Sequence, residues 1–486
     1  MSSLSLVVLG GGPGGYMAAF EAAKRAKDAG LDLQVTIVEA QQLGGTCLNS
    51  GCIPTKTILR TAHALTDITR AAEFALSGVD TTLLQVDLEA LRARKDSVVD
   101  NLVQQVQASA RRLGVQVIQG RGTLVSNSPL KIAVHPTEGS EKTEDAECVL
   151  DCDALIIATG SLPLRLPALD QPFVWTSDHA LALTQIPESI IIVGGGVIGV
   201  EFASAYAAFG SQVTVVELAA TLLPGIDKRV SKALAREFKK QGIDLHLADS
   251  LAAAEQNADG GVTATLASGT QLTADVIMSA VGRVPNTADC GFEQAGIAFA
   301  GRAIAVDNNY QTNLDGVYAI GDVIGGMMLA HEAEHEGVAA AAAIVDGWSN
   351  SATKGSTPAR HACDGNLIPG CIYTSPEVAT IGLSVDAARE AGIATVTGIA
   401  KYAANGKALA EGEGEGFVQI VADADSGTLL GAQIVGAKAV ELIAVFIPYV
   451  AGRRPVSDIA QAVFAHPTLS EVIKAAAEMT QAQLRT

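Results

Sequence analysis

The chain has 486 residues, a length typical of roughly three domains, and its composition of 48% hydrophobic residues, 17% charged residues and 49 glycines excludes a disordered protein. Its net charge of -19 excludes a basic surface for nucleic acid or anionic lipid, so we expect small-molecule or protein partners. The most apolar run, Leu442–Ala451, is interrupted by Pro448 and is too short for a membrane helix.

The first predicted elements are a strand, a glycine turn and a helix. Residues 6–9 are apolar, Gly10, Gly12 and Gly15 follow in G-x-G-x-x-G spacing, and a helix is predicted from Tyr16. Glycines let the backbone approach a pyrophosphate, which then lies at the positive end of the helix. Because the N-terminus begins as a strand without a basic leader, we expect no signal peptide and a cytoplasmic protein.

A second predicted strand, Gln34–Val38, ends at Glu39, where a carboxylate can accept the hydroxyls of a ribose. Glu39 lies 29 positions after Gly10, whereas the usual spacing is about 20. The sequence therefore predicts an extended helix or loop around residues 25–31.

Two cysteines follow in the segment Gly44–Lys56, at Cys47 and Cys52. A regular helix would separate residues five apart by about 7.5 Å, beyond the usual span of a disulfide, so pairing requires irregular backbone, which Asn49 and Gly51 permit. Pro54 suits the first turn of a helix that leads into the helical run Thr57–Leu65, so Cys52 would lie near the positive helix end and Lys56, and both favour the thiolate. The alternative interpretation is structural, with two unpaired cysteines beside a turn.

The strand and turn pattern recurs further along the chain, with a strand at Ile190–Val193 and a second strand, Gln212–Val216, that closes at Glu217. The turn between them contains Gly194, Gly196 and Gly199. One such turn is weak evidence, whereas two in the same context predict two dinucleotide sites. Glu217 would repel a 2'-phosphate, and the nearest following arginine is Arg229, so NAD is favoured over NADP.

The remaining elements are less informative. Apolar runs at Phe417–Ala422 and Leu429–Val435 predict antiparallel strands. His466 has Glu471 five residues later across a proline turn, so a bent segment would let the carboxylate reach the imidazole. Residues 134–150 are acidic and polar and are placed only as a surface hairpin. The other cysteines, for which no zinc site is expected, are Cys148, Cys152, Cys290, Cys363 and Cys371.

Over nearly its whole length the chain resembles the flavoprotein disulfide reductase family and, within it, the dihydrolipoamide dehydrogenase branch. The motifs that carry the resemblance are GGTCLNSGCIPTK at 44–56, IIATGS at 156–161, GRVPNT at 282–287, YAIGD at 318–322, YTSPEVATIG at 373–382 and AHPTLSE at 465–471.

The resemblance implies an α/β fold with two Rossmann-like dinucleotide-binding domains and a C-terminal α+β dimerisation domain. FAD would be bound by residues 1–160 and 286–362, NAD by residues 161–285, and dimerisation would use residues 363–486. The implied FAD-binding residues are Gly10, Gly12, Gly15, Glu39, Lys56, Gly122, Thr159, Gly160, Ser161, Asp322 and Ala330. The implied NAD-binding residues are Gly194, Gly196, Gly199, Glu201, Glu217 and Gly282. No metal is implied.

The resemblance also implies a homodimer, a redox-active disulfide between Cys47 and Cys52, and a His466–Glu471 pair that enters the partner subunit's site. Dihydrolipoamide on a carrier of a 2-oxoacid dehydrogenase or glycine cleavage complex would lose a proton to His466 and attack Cys47. Its electrons would pass through Cys52 and FAD to NAD. We expect no lipoyl domain on this chain.

Two alternatives stay open. The cysteine segment is shared with glutathione and mercuric reductases, which generally prefer NADP, and the mercuric enzymes also need a C-terminal cysteine pair that this sequence does not have after Cys371. The chain could also be a flavin-bearing binding subunit without catalysis.

Overall fold

The computed structural model describes residues 3–137, 148–349 and 365–484. Within these ranges, no helix is long and apolar enough to span a membrane. Most of the predicted polar hairpin at 134–150 lies outside the described residues, as does Cys363. Its described flanks are two strands that pair antiparallel.

The described residues form strands β1 Leu4–Leu9, β2 Leu33–Glu39, β3 Gln116–Gln119, β4 Arg121–Asn127, β5 Leu130–His135, β6 Cys148–Cys152, β7 Ala154–Ile157, β8 Ser161–Pro163, β9 Val174–Trp175, β10 Ser189–Val193, β11 Gln212–Glu217, β12 Asp244–Leu247, β13 Leu251–Gln256, β14 Val262–Leu266, β15 Gln271–Ala274, β16 Val276–Ser279, β17 Arg283–Pro285, β18 Phe299–Ala300, β19 Ala303–Ile304, β20 Val317–Ala319, β21 Gly370–Ile372, β22 Val378–Gly382, β23 Thr395–Lys401, β24 Phe417–Asp423 and β25 Leu429–Val435. The α-helices are α1 Pro13–Asp28, α2 Gly45–Ser50, α3 Cys52–Thr69, α4 Leu88–Leu113, α5 Ser177–Ala182, α6 Val197–Ala208, α7 Lys228–Lys240, α8 Ala330–Trp348, α9 Val385–Glu390, α10 Gly406–Ala410, α11 Ala439–Leu442, α12 Ile447–Ala451, α13 Ser457–Ala460 and α14 Glu471–Leu484. Short 3₁₀ turns are Ala71–Phe74, Thr81–Leu83, Gly321–Ile324, Gly365–Leu367, Tyr402–Ala404 and Ile443–Val445.

The chain divides into two compact units. The first contains Met1–Thr55, Ala93–Leu164 and Arg283–Cys363, and the second contains Lys56–Arg92, Arg165–Gly282 and Asp364–Thr486. These divisions fall near the predicted boundaries at 160 and 286. They do not separate residues 161–285 from the C-terminal residues, so the predicted three-way division stays a prediction.

The first unit is built on a parallel sheet with the strand order β20-β7-β1-β2-β3. Helix α1 connects β1 to β2 and continues to Asp28, which accounts for the long spacing before Glu39. Leu6 and Val8 pack on one face of the sheet with α1 and α8, and Val7 and Leu9 pack on the other with β4 and β5. Burial of both faces explains the unbroken apolar run of β1.

The second unit repeats this arrangement in the parallel sheet β12-β11-β10-β16-β9, with α6 joining β10 to β11. In both sheets the strand before the glycine turn is central, and it pairs with the strand that ends in glutamate. The prediction of two Rossmann-like units is confirmed.

The C-terminal residues of the second unit form an antiparallel sheet with the order β21-β22-β25-β24-β23. The two predicted runs are β24 and β25, which are neighbours in this sheet. Val418 and Ile434 share a buried cluster with Ile473 of α14, so helix and sheet form one core. This is the α+β architecture that the resemblance implied for the C-terminal residues.

Candidate active site

A break between two helices separates the two cysteines. Cys47 lies in α2, which ends at Ser50, and Cys52 begins α3. Between them Gly51 has φ −143° and ψ −110°, outside helical geometry. A Cβ on Gly51 would lie 2.8 Å from the carbonyl oxygen of Thr46 and 3.2 Å from the Cα of Cys47. The backbone therefore folds back against Cys47, at the position where the sequence required an irregularity.

The helix after the break begins at Cys52 and continues through the predicted run Thr57–Leu65. Pro54 falls within its first turn, where the missing N–H costs no hydrogen bond. Cys52 is therefore at the positive end of an 18-residue helix, which favours negative charge. Lys56 follows one turn later on the same helix.

Asn49 ties the cysteine segment to the loop after β2. Its Nδ2 lies 3.2 Å from the carbonyl oxygens of Gln42 and Leu43 and 3.0 Å from that of Gly45. Its Oδ1 is buried and has no hydrogen-bond partner among the described residues. An unsatisfied buried acceptor costs about 1–3 kcal/mol, so a donor from a bound molecule would be favoured here.

The first glycine turn has the geometry of a pyrophosphate cradle. Gly10 has φ +103°, and a Cβ on Gly15 would lie 1.9 Å from the carbonyl oxygen of Gly10, so both positions require glycine. Gly12 caps α1 without a side-chain hydrogen bond, and a Cβ there would meet only Gly45 Cα, at 3.8 Å. The first N–H groups of α1 are thus open to an anion.

Glu39 holds the first turn through its carboxylate. Oε2 accepts from the N–H of Gly11 at 2.6 Å, and Oε1 accepts from the N–H of Gln41 at 2.8 Å. The carboxylate therefore fixes the glycine loop against the end of β2, in the place predicted for a ribose.

The segment Thr159–Ser161 follows β7 and lies at the same carboxyl edge of the sheet as the glycine turn. A Cβ on Gly10 would lie 2.2 Å from the carbonyl oxygen of Ala158, which shows how close the two segments are. Ser161 Oγ donates to Asp322 Oδ2, which follows β20 at this edge. Three sequence-predicted FAD segments thus converge where open α/β sheets bind ligands.

Two residues that the sequence did not single out fix this edge. Arg283 donates to Ser161 Oγ and to its carbonyl oxygen, both at 2.7 Å. Asn286 donates to the carbonyl oxygen of Thr159 at 3.2 Å, and its own carbonyl accepts from Thr159 Oγ1 at 2.8 Å. Both lie in the motif GRVPNT at 282–287, which was the sequence feature that could have identified them.

The last predicted FAD residues have different surroundings. Ala330 is the first residue of α8. Further along α8, buried Glu336 accepts from the N–H of Gly321 at 2.6 Å, next to Asp322. Burial raises the pKa of Glu336 to about 7. Gly122 packs against Leu9, since a Cβ there would lie 2.5 Å from the Leu9 side chain.

The second glycine turn repeats the first. Gly194 has φ +113°, and a Cβ on Gly199 would again lie 1.9 Å from the carbonyl oxygen of Gly194. Gly196 caps α6 without a side-chain hydrogen bond, and a Cβ there would meet nothing within 4 Å among the described atoms. Open space above the helix end suits a second pyrophosphate.

Glu217 holds the second turn as Glu39 holds the first. Oε2 accepts from the N–H of Gly195 and Oε1 from the N–H of Ala219, both at 2.6 Å. Gly282 follows β16 at the same edge and has φ +114°. The predicted NAD residues in the turn, at the strand end and after β16 therefore lie along one edge of the second sheet.

Glu201 is placed differently from the other predicted NAD residues. Its buried carboxylate binds Lys56 Nζ, at 3.0 Å through Oε1 and 2.9 Å through Oε2. Oε1 also accepts from the N–H of Tyr373 at 3.0 Å, and the Tyr373 ring centroid lies 4.6 Å from Lys56 Nζ. Tyr373 is a residue of this cluster that sequence reasoning quoted in a motif without giving it a role.

The predicted histidine pair is formed. His466 Nδ1 lies 2.9 Å from Glu471 Oε1, while Glu471 Oε2 accepts from the N–H of Thr468 at 2.9 Å. The Thr468 N–H and His466 together lower the pKa of Glu471 below its ordinary value. The His466 side chain is 80% exposed, so its other ring nitrogen is open to a group outside this chain. This arrangement suits proton transfer.

These features fit two dinucleotides and a reactive cysteine pair. Each glycine turn offers open helix N–H groups and a carboxylate at the adjacent strand end. The buried Asn49 Oδ1, which has no partner among the described residues, lies between the two cysteines in the sequence. The residues at the first edge therefore fit FAD, and those at the second fit NAD.

Comparison with known proteins identifies a family. Residues 4–337 match the family model described as pyridine nucleotide-disulphide oxidoreductase, and residues 368–477 match the dimerisation domain of the same family. The second match supports assembly of the chain as a homodimer.

Individual relatives are similar over almost their whole lengths. A dihydrolipoyl dehydrogenase of Zymomonas mobilis is 40% identical over 474 residues, covering 96% of this chain and 96% of the relative. One of Bacillus subtilis is 35% identical over 472 residues, covering 97% of each. The crystal structure of LpdA from Mycobacterium tuberculosis superposes with a TM-score of 0.87 at 28% identity, covering 98% of this chain and 99% of that one.

Proposed function

Because the chain belongs to the pyridine nucleotide-disulphide oxidoreductase family, we propose that it is a dihydrolipoyl dehydrogenase, which oxidises protein-bound dihydrolipoamide and reduces NAD⁺. One observation of the structure carries this proposal. The cysteine segment, broken at Gly51, occurs in a chain that also contains two glycine turns, each held by a glutamate.

The cofactors of this enzyme are FAD and NAD. We assign FAD to residues 1–160 and 286–362, with Glu39, Ser161 and Asp322 among its contacts, and NAD to residues 161–285, with Glu217 on its ribose. Bound FAD supplies the two-electron carrier between the cysteine pair and NAD⁺. Residues 363–486 are the proposed interface.

The chain's own residues perform the thiol chemistry. His466, with Nδ1–H donated to Glu471, has Nε2 available to remove the proton of a dihydrolipoyl thiol. The resulting thiolate attacks Cys47 Sγ, so that a mixed disulfide forms and the bond to Cys52 Sγ breaks. The second lipoyl thiol then displaces Cys47 Sγ and gives its proton to that sulfur, while the first proton stays on His466. The lipoyl group leaves as a disulfide, and the two electrons and one proton equivalent remain on Cys47 and Cys52.

The position of Cys52 suits the sulfur that leaves. It begins α3, whose positive end favours a thiolate, whereas Cys47 lies inside α2. At the break the Gly51 backbone lies against Thr46 and Cys47, and Asn49 ties α2 to the loop after β2. In this division of roles Cys47 would meet the substrate, and Cys52 would pass electrons to bound FAD.

The exposure of His466 supports a role across the dimer interface. A general base with 80% of its side chain exposed in one chain gains a defined site when a second subunit covers it. The homodimer would then be required for catalysis.

The partner that supplies the dithiol is proposed to be a lipoyl-bearing carrier of a 2-oxoacid dehydrogenase or glycine cleavage complex. The cytoplasm is the proposed location, and cell fractionation with immunoblotting tests it. Mixing the protein with purified lipoyl domains and following NADH formation tests the partner.

Activity assays on matched substrates test the function. NADH-dependent lipoamide reduction should be robust, and NADPH-dependent glutathione reduction should be absent because Glu217 repels a 2'-phosphate. Cys47→Ser and Cys52→Ser should each abolish dihydrolipoamide oxidation while FAD stays bound. Cys371→Ser, which changes a half-buried cysteine of β21, is the control and should stay active. Full activity in either variant of the pair would refute the proposal, as would activity with glutathione alone.

A further inference from the structure

The ammonium of Lys56 is held from more than one side. Both carboxylate oxygens of Glu201 bind it, at 3.0 and 2.9 Å, and the Tyr373 ring centroid lies 4.6 Å away. The Glu201 side chain is 4% exposed and that of Lys56 is 27% exposed, so the pair is largely removed from water. A lysine ammonium is a compact charge on a flexible stem, and an ion pair alone leaves it free to pivot.

Tyr373 contributes to this cluster twice. Its ring faces the ammonium, and its backbone N–H donates to Glu201 Oε1 at 3.0 Å. The second contact belongs to the main chain, so it persists whatever side chain occupies the position. The ring contact alone depends on the tyrosine side chain.

The backbone around Tyr373 is anchored independently of its ring. The N–H of Ser375 donates to Ser204 Oγ at 3.1 Å, one turn after Glu201 on α6. Gln241 Nε2 donates to the carbonyl oxygen of Ser375 at 2.6 Å. Replacement of the ring should therefore leave this segment in place and change only the surroundings of Lys56.

We infer that Tyr373 is a positioning residue, whose ring closes the open side of the Lys56–Glu201 pair and confines the Lys56 ammonium to one position. A ring face attracts a cation most strongly where water is excluded, as it largely is here. The catalytic part of this inference rests on the proposed function, because the confined charge matters for catalysis only if Lys56 lies near the flavin.

Amine labelling tests the positioning directly, without the cofactor or activity. FAD-free protein is treated with a limiting amine-acylating reagent, and the labelling rate of Lys56 is read by peptide mass spectrometry. Tyr373→Phe keeps the ring and should match the unsubstituted protein. Tyr373→Leu should raise the rate by about 2- to 30-fold, the factor that corresponds to the usual strength of a cation–ring contact. Tyr373→Met carries the same expectation if the leucine variant does not fold.

A matched control removes a similar contact elsewhere. The ring of Tyr449 lies 5.9 Å from the guanidinium carbon of Arg454. Tyr449→Leu should leave the labelling of Lys56 unchanged. If it raises the rate as much as Tyr373→Leu does, the effect is general loosening and the inference is wrong.

The FAD-loaded protein provides the second measurement. Rapid mixing with dihydrolipoamide should show slower flavin reduction in Tyr373→Leu, by a factor similar to that in labelling, with an unchanged KM for NAD⁺. Unchanged labelling in Tyr373→Leu, or equal labelling in the phenylalanine and leucine variants, overturns the inference. A protein that does not oxidise dihydrolipoamide refutes the proposed function instead, and the labelling result still decides the role of the ring.

Discussion

Removing the charge of Glu217 should weaken NAD⁺ binding through the glycine turn. The carboxylate accepts two backbone N–H groups, from Gly195 and Ala219, each at 2.6 Å. In Glu217→Gln the amide offers only one acceptor atom, so one of these N–H groups loses its partner. A hydrogen bond to a charged group contributes about 1.5–3 kcal/mol. The glycine turn is then less well ordered before NAD⁺ binds, and binding must order it against the loss of this hydrogen bond. The KM for NAD⁺ should therefore rise by about 10- to 100-fold.

The corresponding glutamate of the other turn is the matched control for this prediction. Glu39 makes the equivalent bonds to Gly11 and Gln41, so Glu39→Gln should lower the FAD content after purification. Once saturated with FAD, that variant should show an unchanged KM for NAD⁺. Steady-state kinetics with varied NAD⁺ decide the matter. A KM for Glu217→Gln within twofold of the unsubstituted value, or an equal rise in Glu39→Gln, would show that the two turns do not act as separate sites.

Three further changes have defined outcomes. His466→Ala should lower kcat by about 100- to 10,000-fold as expected for loss of a general base, and Glu471→Gln by less; equal rates in all three proteins would exclude this role. Gly51→Ala forces a Cβ against the carbonyl of Thr46 and should slow reoxidation of the cysteine pair, measured by thiol titration, while an unchanged rate would contradict the geometry. Burial raises the pKa of Glu336 from 4.5 to about 7. Between these two pH values the folded protein keeps a proton that the unfolded chain loses, so the free energy of unfolding should fall as pH rises through this window. The fall should be about 3 kcal/mol at most and should vanish in Glu336→Gln, as urea unfolding across the window would show; an identical pH dependence in both proteins would contradict this reasoning.

Local features of the sequence were sufficient to predict the two dinucleotide units. Each unit lies within a short stretch in which an apolar strand, a glycine turn and a terminal acid follow one another. Gly10 and Gly194 need a left-handed backbone, which sequence spacing alone can indicate. The His466–Glu471 pair was also within reach, because its members are five residues apart.

Contacts between distant parts of the chain were beyond this reasoning. The resemblance implies a role for Glu201 in NAD binding, and the structure adds that its carboxylate binds Lys56, 145 positions away. Tyr373 is 172 positions from Glu201 and makes its contact through the main chain, which no residue type encodes. A carboxylate within an otherwise apolar helix was the one local sign that Glu201 needed a charged partner.

The first residue of helix α3 depends on tertiary contacts as well. Pro54 and the run Thr57–Leu65 predict a helix here, but they do not specify the residue at which it begins. The true start at Cys52 depends on the break at Gly51 and on packing against Cys47. Tertiary contact therefore decides where this helix begins.

The central claim is that Cys47 and Cys52 pass electrons from a dithiol to the flavin, and an anaerobic absorbance titration tests it most directly. One equivalent of dihydrolipoamide should produce a long-wavelength charge-transfer band from the Cys52 thiolate against oxidised FAD. The band should persist without reductant in Cys47→Ser and be absent in Cys52→Ser. Direct bleaching of the flavin without this band, identical in both variants, would contradict the account.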